Sequence, residues 1–347
     1  MRTRARAGLS VAALAAALLP AALPVDDAHA GARPGVVSQG PLSARDFDRM
    51  RRGGVQTLRF LLRWQAVEAE QGVYDWSSID PIAARAARAE IDLLPLVFGS
   101  PPWVAAPESH PPLDTDGDMQ AWRGFLTALV DRYGREGSFW AQTADPQPIV
   151  RWQIWNEPNF DFYWHPRPAP DEYAELLAIS ADAILERDPA AKVIMAGVAP
   201  VAAGMRWTRF LRRLYQTPGF ARDADTVALH PYSPTIADLV DQIGKARRIM
   251  EAYGDRRKRL AITELGWSSG AQRAALVVGP TRQAALLGES FERVLRTPKW
   301  RISDLQWYAW QDSKRVERAC VFCERAGLFD RRGRAKPAWR AYRRVNR

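Results

Sequence analysis

Cysteine and histidine are scarce, two of one and four of the other in 347 residues. Cys320 and Cys323 form a single C-x-x-C pair, and no second pair exists to complete a tetrahedral thiolate metal site. His29 lies near the N-terminus, and His110, His165 and His230 lack the close spacing of zinc ligands. No glycine-rich phosphate loop occurs. Asp114-Thr-Asp116-Gly-Asp118 carries the acidic spacing of a calcium loop, but its glycine falls too early and Phe125 stands where a closing Glu belongs. It reads instead as a helix-capping loop. No metal and no cofactor is expected.

Long apolar runs are also missing after residue 30, so nothing later is expected to cross a bilayer. Residues 1–30 read as an address. Arg2, Arg4 and Arg6 make a positive start, Leu9 to Leu23 an apolar centre broken by Pro20, and Ala28-His29-Ala30 a small-x-small cleavage pattern. A signal peptide over 1–30, removed on export, is expected, leaving 31–347 as one secreted, extracellular, monomeric domain. The net charge is +10, and losing the leader, with its three Arg and two Asp, leaves the balance basic. The arginines are spread along helix-like segments, at Arg85, Arg88, Arg212, Arg213, Arg247 and Arg248. That pattern fits solvated helix faces and gives no nucleic-acid surface.

What the chain has in quantity is alternation. Strand-like runs fall at Val36–Gln39, Thr57–Arg63, Asp92–Phe98, Val150–Trp155, Lys192–Gly197, Thr226–His230, Leu260–Glu264 and Leu305–Trp310. Helical patterns lie between them, as in Trp122, Phe125, Leu126, Leu129 and Val130, with others starting near Ser43, Ser78, Asp171, Trp207, Ile236 and Thr281 and a last one over Pro337–Val345. Eight strands alternating with eight helices predict an α/β fold, the (β/α)8 TIM barrel, whose active sites gather at the carboxyl ends of the strands.

Two glutamates stand at such ends. Val150-Arg-Trp-Gln-Ile-Trp-Asn-Glu-Pro-Asn-Phe160 is an apolar strand closed by Glu157 and a proline that cannot extend a ladder. Arg259-Leu-Ala-Ile-Thr-Glu-Leu-Gly-Trp267 places Glu264 likewise. A single strand-end Glu is ordinarily a cap or an ion-pair partner. Two on one rim suit glycoside hydrolysis, where one carboxyl protonates the leaving oxygen and the other attacks the anomeric carbon or activates water.

Trp155-Asn156-Glu157-Pro158 and Thr263-Glu264-Leu265-Gly266-Trp267 resemble the acid/base and nucleophile motifs of retaining clan A glycoside hydrolases. Within that clan the chain looks most like family 39, through Leu58-Arg59-Phe60, Trp64, Glu68, Gly72-x-Tyr74-Asp75-Trp76 and His230-Pro-Tyr232. The resemblance implies that Glu264 is the nucleophile and Glu157 the acid/base. It also implies that Arg59 lies beside Glu264, that Asn156 binds the sugar hydroxyl next to the anomeric carbon, that His230 and Tyr232 lie near the nucleophile, and that Trp310 lies beneath the sugar. Because sugars present apolar faces edged with hydroxyls, Trp103, Trp164 and Trp267 in loops after strands are also considered as contacts, and Trp103 joins Trp310 as an expected platform. In an exported chain Cys320 and Cys323 favour a short-loop disulfide over redox chemistry.

The expected reaction is hydrolysis of an O-glycosidic bond in a polysaccharide or oligosaccharide by double displacement. With no accessory β-domain recognisable, the chain is nearest the family 39 endoglycosidases acting on bacterial exopolysaccharide. Two alternatives stay open: a family 5 type cellulase or mannanase, and a catalytically silent barrel that binds polysaccharide.

Overall fold

The computed structural model describes residues 31–200, 203–313 and 320–346; the expected leader, residues 1–30, lies outside them. Eight parallel strands close into a barrel in chain order. They are β1 (Arg33–Ser38), β2 (Thr57–Arg63), β3 (Asp92–Phe98), β4 (Arg151–Ile154), β5 (Lys192–Met195), β6 (Thr226–Leu229), β7 (Arg259–Leu265) and β8 (Ile302–Tyr308), and β8 pairs back to β1. Eight main helices follow them: α1 (Ala44–Arg52), α2 (Asp80–Ala89), α3 (Asp116–Tyr133), α4 (Pro170–Arg187), α5 (Trp207–Gln216), α6 (Ile236–Ala252), α7 (Pro280–Leu295) and α8 (Pro337–Val345). This is the (β/α)8 fold that the alternation predicts. No helix of the described residues is long and apolar enough to cross a membrane.

Local chemistry sets the boundaries. The Asp114–Asp118 stretch is a cap, with Thr115 Oγ1 accepting the Asp118 N–H at 3.2 Å to start α3. Thr235 starts α6 in the same way, and α4, α7 and α8 open on prolines, whose missing N–H would be unpaired there anyway. Pro95 lies inside β3, yet pairing of β3 with β4 opens only at Leu96, so its lost donor breaks no bond on that side. The apolar positions expected on α3, from Trp122 to Val130, are buried against the barrel wall.

The strands bury both faces, and the barrel interior is polar. Near its amino end Arg151 donates to Asp304, which Arg33 approaches at 3.6 Å. Above them Gln306 donates to Thr57. The top layer holds Arg59, Gln153, Thr263 and Glu264. The polar residues alternate with outward apolar ones: Arg151 and Gln153 on β4, Thr57 and Arg59 on β2, Asp304 and Gln306 on β8. Observed strand ends depart from the sequence reading by up to three residues. The departure with consequences is β8, which ends at Tyr308, two residues before Trp310.

Candidate active site

After β4 the backbone turns sharply. Trp155 and Glu157 adopt positive φ, 67° and 38°, a region that large L-residues avoid unless their surroundings over-determine it. The surroundings here do so. The fully buried Trp155 ring packs 4.7 Å from Phe98 and 5.6 Å from Trp164, and its indole donates to the Tyr163 carbonyl at 2.7 Å. Asn159 ties the same loop to the loop after β5, donating to the Ala199 and Met205 carbonyls at 2.9 and 3.0 Å and accepting from Ala199 N–H at 3.1 Å. Tyr173 on α4 accepts from Ala196 N–H and donates to the Ile154 carbonyl at 3.0 Å, pinning the ends of β4 and β5. Glu157 is thereby held at the mouth with a side chain 12% exposed.

On β7 two successive residues, Thr263 and Glu264, both contact interior groups, which strict alternation forbids. The ladder to β8 shifts register between Ile262 and Leu265, and this irregularity turns both inward. Glu264 is met by Arg59 Nη1 at 2.6 Å and by the Tyr232 hydroxyl, which donates at 2.7 Å. The same guanidinium donates through Nε to Gln153 at 2.6 Å and through Nη2 to Asn156 Oδ1 at 3.1 Å. One fork therefore aligns residues of β4 and β7, a task that a lysine's point charge cannot do.

Burial pushes the Glu264 carboxyl up, but the His230 and Arg59 charges and the hydrogen bonds from Tyr232 and Arg59 outweigh it and hold the group below the usual carboxylate range. The Tyr232 phenol is raised well above its ordinary value, first by burial and then by the Glu264 charge, so it remains a donor. His230 is fully buried between the carboxylates, with Nδ1 2.7 Å from Glu157 Oε1 and 3.8 Å from Glu264 Oε2, and Nε2 3.0 Å from Thr263 Oγ1. Gly197 makes room for this ring: a Cβ there would lie 2.1 Å from His230 Nε2.

Glu157, His230 and Glu264 each offer a ligand atom within 4.8 Å of the others. A cation at their centre would face the Arg59 guanidinium that already balances Glu264.

The structure brings Glu157, Glu264, Asn156, Arg59, His230 and Tyr232 together. It does not bring Trp310 to them. Trp310 is 2% exposed and packs outside the strands, 4.6 Å from Phe329 and 5.4 Å from Trp339 of α8, with its indole donated to Asp46 of α1 at 3.2 Å. The expected platform is a core residue between barrel and helices, because β8 ends earlier than its apolar pattern. Trp103 is half-buried, edge-on to Trp64 at 5.4 Å, and donates to the Glu68 carbonyl at 3.1 Å; these contacts fix it in the wall after β2 and β3. Trp164 and Trp267 are fully buried, with indoles donated to Glu172 and to the Ser233 carbonyl. Glu68 is structural, accepting from Trp64 Nε1 at 2.6 Å and Gly72 N–H at 2.7 Å. Cys320 and Cys323 are joined as a disulfide, with Cα atoms 5.3 Å apart.

Sequence reasoning passes over several residues at this site. Gln153 and Tyr308 are in inward phase with Arg151 and with Gln306, and counting by twos along β4 and β8 finds them. Gly197 and Phe322 carry no such signal. Gly266-Trp267-Ser268-Ser269-Gly270 has the spelling of a serine elbow, but Ser268 is 1% exposed, accepts the Gly270 N–H at 3.2 Å and bridges to Val277 instead of opening a helix.

No protein-family model matches the sequence, and no curated protein matches it. Solved structures do resemble it. A family 39 glycoside hydrolase from Bacteroides cellulosilyticus aligns with a TM-score of 0.68 at 19% identity over 92% of this chain and 64% of its own length. A family 39 β-xylosidase from Caulobacter crescentus gives 0.68 at 21% identity over 91% of this chain and 72% of its own. GH5_18 from Streptomyces cattleya, in complex with GlcNAc, gives 0.64 at 18% over 91% and 79%. The chain thus spans less than two thirds of the first of these. At such identities the likeness establishes the fold that these glycoside hydrolases share.

Proposed function

We propose that the chain is a secreted glycoside hydrolase that cleaves O-glycosidic bonds with retention. The observation that carries this reading is the pair of strand-end carboxylates whose facing oxygens lie within 4.8 Å, with Arg59 and Tyr232 on one of them and His230 on the other. A separation near 5 Å suits direct attack by one carboxylate, whereas inversion needs roughly 6.5–9.5 Å to seat a water. Glu264, held ionised, attacks the anomeric carbon while Glu157 protonates the leaving oxygen. Glu157 then takes a proton from the water that releases the glycosyl-enzyme. Asn156, fixed by Arg59, is available to the hydroxyl beside the anomeric centre.

The β-xylosidase neighbour favours a β-linked glycan as substrate. Phe162 supports acceptance of an extended chain: on the loop that follows Glu157 it is 64% exposed, braced 4.9 Å from Tyr163 and 6.1 Å from Phe160, and offers an exposed aromatic face. Purified protein, Glu157→Gln and Glu264→Gln are to be incubated with plant β-glycans and bacterial exopolysaccharides, reading released ends, product length and anomeric configuration. Hydrolysis with retention, lost in both variants, is expected. Glycan binding without turnover would replace the enzyme by a polysaccharide-binding barrel. Export is tested separately: the extracellular protein is expected to begin at Gly31.

A further inference from the structure

The disulfide closes a four-residue loop, Cys320-Val321-Phe322-Cys323, and Phe322 is its one aromatic residue. Its half-buried ring packs 4.9 Å from Tyr232 and 6.0 Å from Tyr308, and the two tyrosines lie 6.3 Å apart at 86°, so the three rings form one cluster. Tyr232 is the phenol that donates to Glu264 at 2.7 Å. The chain just beyond the loop is firmly held: the Arg325 carbonyl accepts from Ser269 N–H and Lys336 Nζ, both at 2.9 Å, and the Ala326 carbonyl accepts from Trp307 Nε1 and the fully buried Gln283. The disulfide ties Cys320 back to this anchored side, and Cys323 N–H also donates to the Cys320 carbonyl at 3.1 Å.

We infer that Phe322 is a positioning residue for the nucleophile: clamped by the Cys320–Cys323 disulfide, it holds the Tyr232 ring so that its hydroxyl stays on Glu264. The inference rests on the hydrolase reading for the word nucleophile. The geometry it invokes does not depend on turnover. Glu264 is faced by Arg59 from β2, by Asn156 and Glu157 from the loop after β4 and by His230 and Tyr232 from the loop after β6, with Tyr308 of β8 behind Tyr232. Phe322 packs against Tyr232, which donates to Glu264, and against Tyr308 behind it. A carboxylate that loses a donor binds its proton more tightly, so the pH below which Glu264 is protonated moves up.

Three variants test this: Phe322→Ala, the double variant Cys320→Ser with Cys323→Ser, and Phe322→Tyr, which keeps the ring. Thermal melts first confirm that each folds. On a substrate turned over by wild type and not by Glu264→Gln, Phe322→Ala and the double variant are expected to lose about tenfold or more in kcat, as misplacement near the reacting groups does. Their acidic limb of kcat/KM is expected to move to higher pH, and Phe322→Tyr to restore both. A fall in kcat with an unmoved acidic limb, or no effect at all, would overturn the inference. In parallel, the Glu264 side chain is titrated by NMR in protein labelled with 13C at glutamate carboxyls and assigned with Glu264→Gln. If no glycan is hydrolysed the functional reading fails, yet the titration still decides the geometry: an upward move in Phe322→Ala upholds the clamp, and an unmoved midpoint removes it.

Discussion

Gly197→Ala is the smallest change that should disable the site. The added methyl would sit 2.1, 2.3 and 2.8 Å from His230 Nε2, Cδ2 and Cε1, where ordinary contact begins near 3.4 Å. The ring must therefore retreat by about 1.3 Å. It has no slack, being fully buried and held at 2.7 Å by Glu157 and 3.0 Å by Thr263. A retreat of that size breaks the Thr263 contact and re-aims the ring relative to Glu157. Overpacking of this kind costs about 1–3 kcal/mol of stability, and an ångström of misplacement at a reacting group costs roughly 10²-fold in rate, about 2.7 kcal/mol of barrier. Thermal melts and kcat and KM on the best glycan would measure the two effects separately. Gly124→Ala in α3 is the control: nothing lies within 4 Å of its Cβ position, and it should gain about 1 kcal/mol by helix propensity with kcat unaltered. A Gly197→Ala protein with wild-type kcat would show that His230 is not held where the proton chemistry needs it.

Arg59→Lys keeps the charge and loses the fork, so Gln153 and Asn156 come adrift; kcat/KM should fall about 10–100-fold and its acidic limb should move to higher pH, read from the pH profile. An unchanged profile would mean that charge alone matters there. Trp310→Ala should cost about 3–5 kcal/mol in a denaturant melt while leaving the KM of the folded protein unaltered; a selective rise in KM would return Trp310 to the sugar. Asp304, fully buried at the barrel floor, is pushed up by burial but held below the usual carboxylate range by the Arg151 and Arg33 charges. A depressed folded value means that this stability is present above the unfolded carboxylate pKa and is lost as pH falls through the folded one. Asp304→Asn should therefore lose about 3–5 kcal/mol near neutrality and flatten the acid side of the stability curve, measured by urea melts from neutral to acid pH.

The strands were legible because burial on both faces demands apolar, β-branched runs, and the glutamates because each interrupts such a run beside a proline or glycine. Which way a side chain points was less legible, since one residue of slip inverts a strand. Where a strand stops was less legible still: Trp310 shares the alternation of Asp304, Gln306 and Tyr308, but β8 ends at Tyr308, so the alternation no longer holds at Trp310, and a core tryptophan was put at the rim while Tyr308 was passed over. Thr263 and Glu264 facing inward together follow from a register shift that no pattern in Arg259–Leu265 announces. Phe322 meets Tyr232 only because the chain after β8 folds back over β6, a contact across 90 residues that periodicity cannot see.

These backbone irregularities make the two glutamates unlike. Were β7 regular, either Thr263 or Glu264 would face the helices, and Glu264 could not meet Arg59 and Tyr232 while Thr263 supported His230. Were Trp155 and Glu157 in extended conformation, Glu157 would continue the line of β4 away from His230. Instead Glu264 receives a guanidinium and a phenol, which favour its charged form. Among the described residues, the Glu157 carboxylate shares a 2.7 Å hydrogen bond with Nδ1 of His230. A nucleophile must stay ionised and an acid/base must load and unload a proton in each cycle. On the proposed reading, the difference in their partners suits that division of labour between two residues of the same type on one rim.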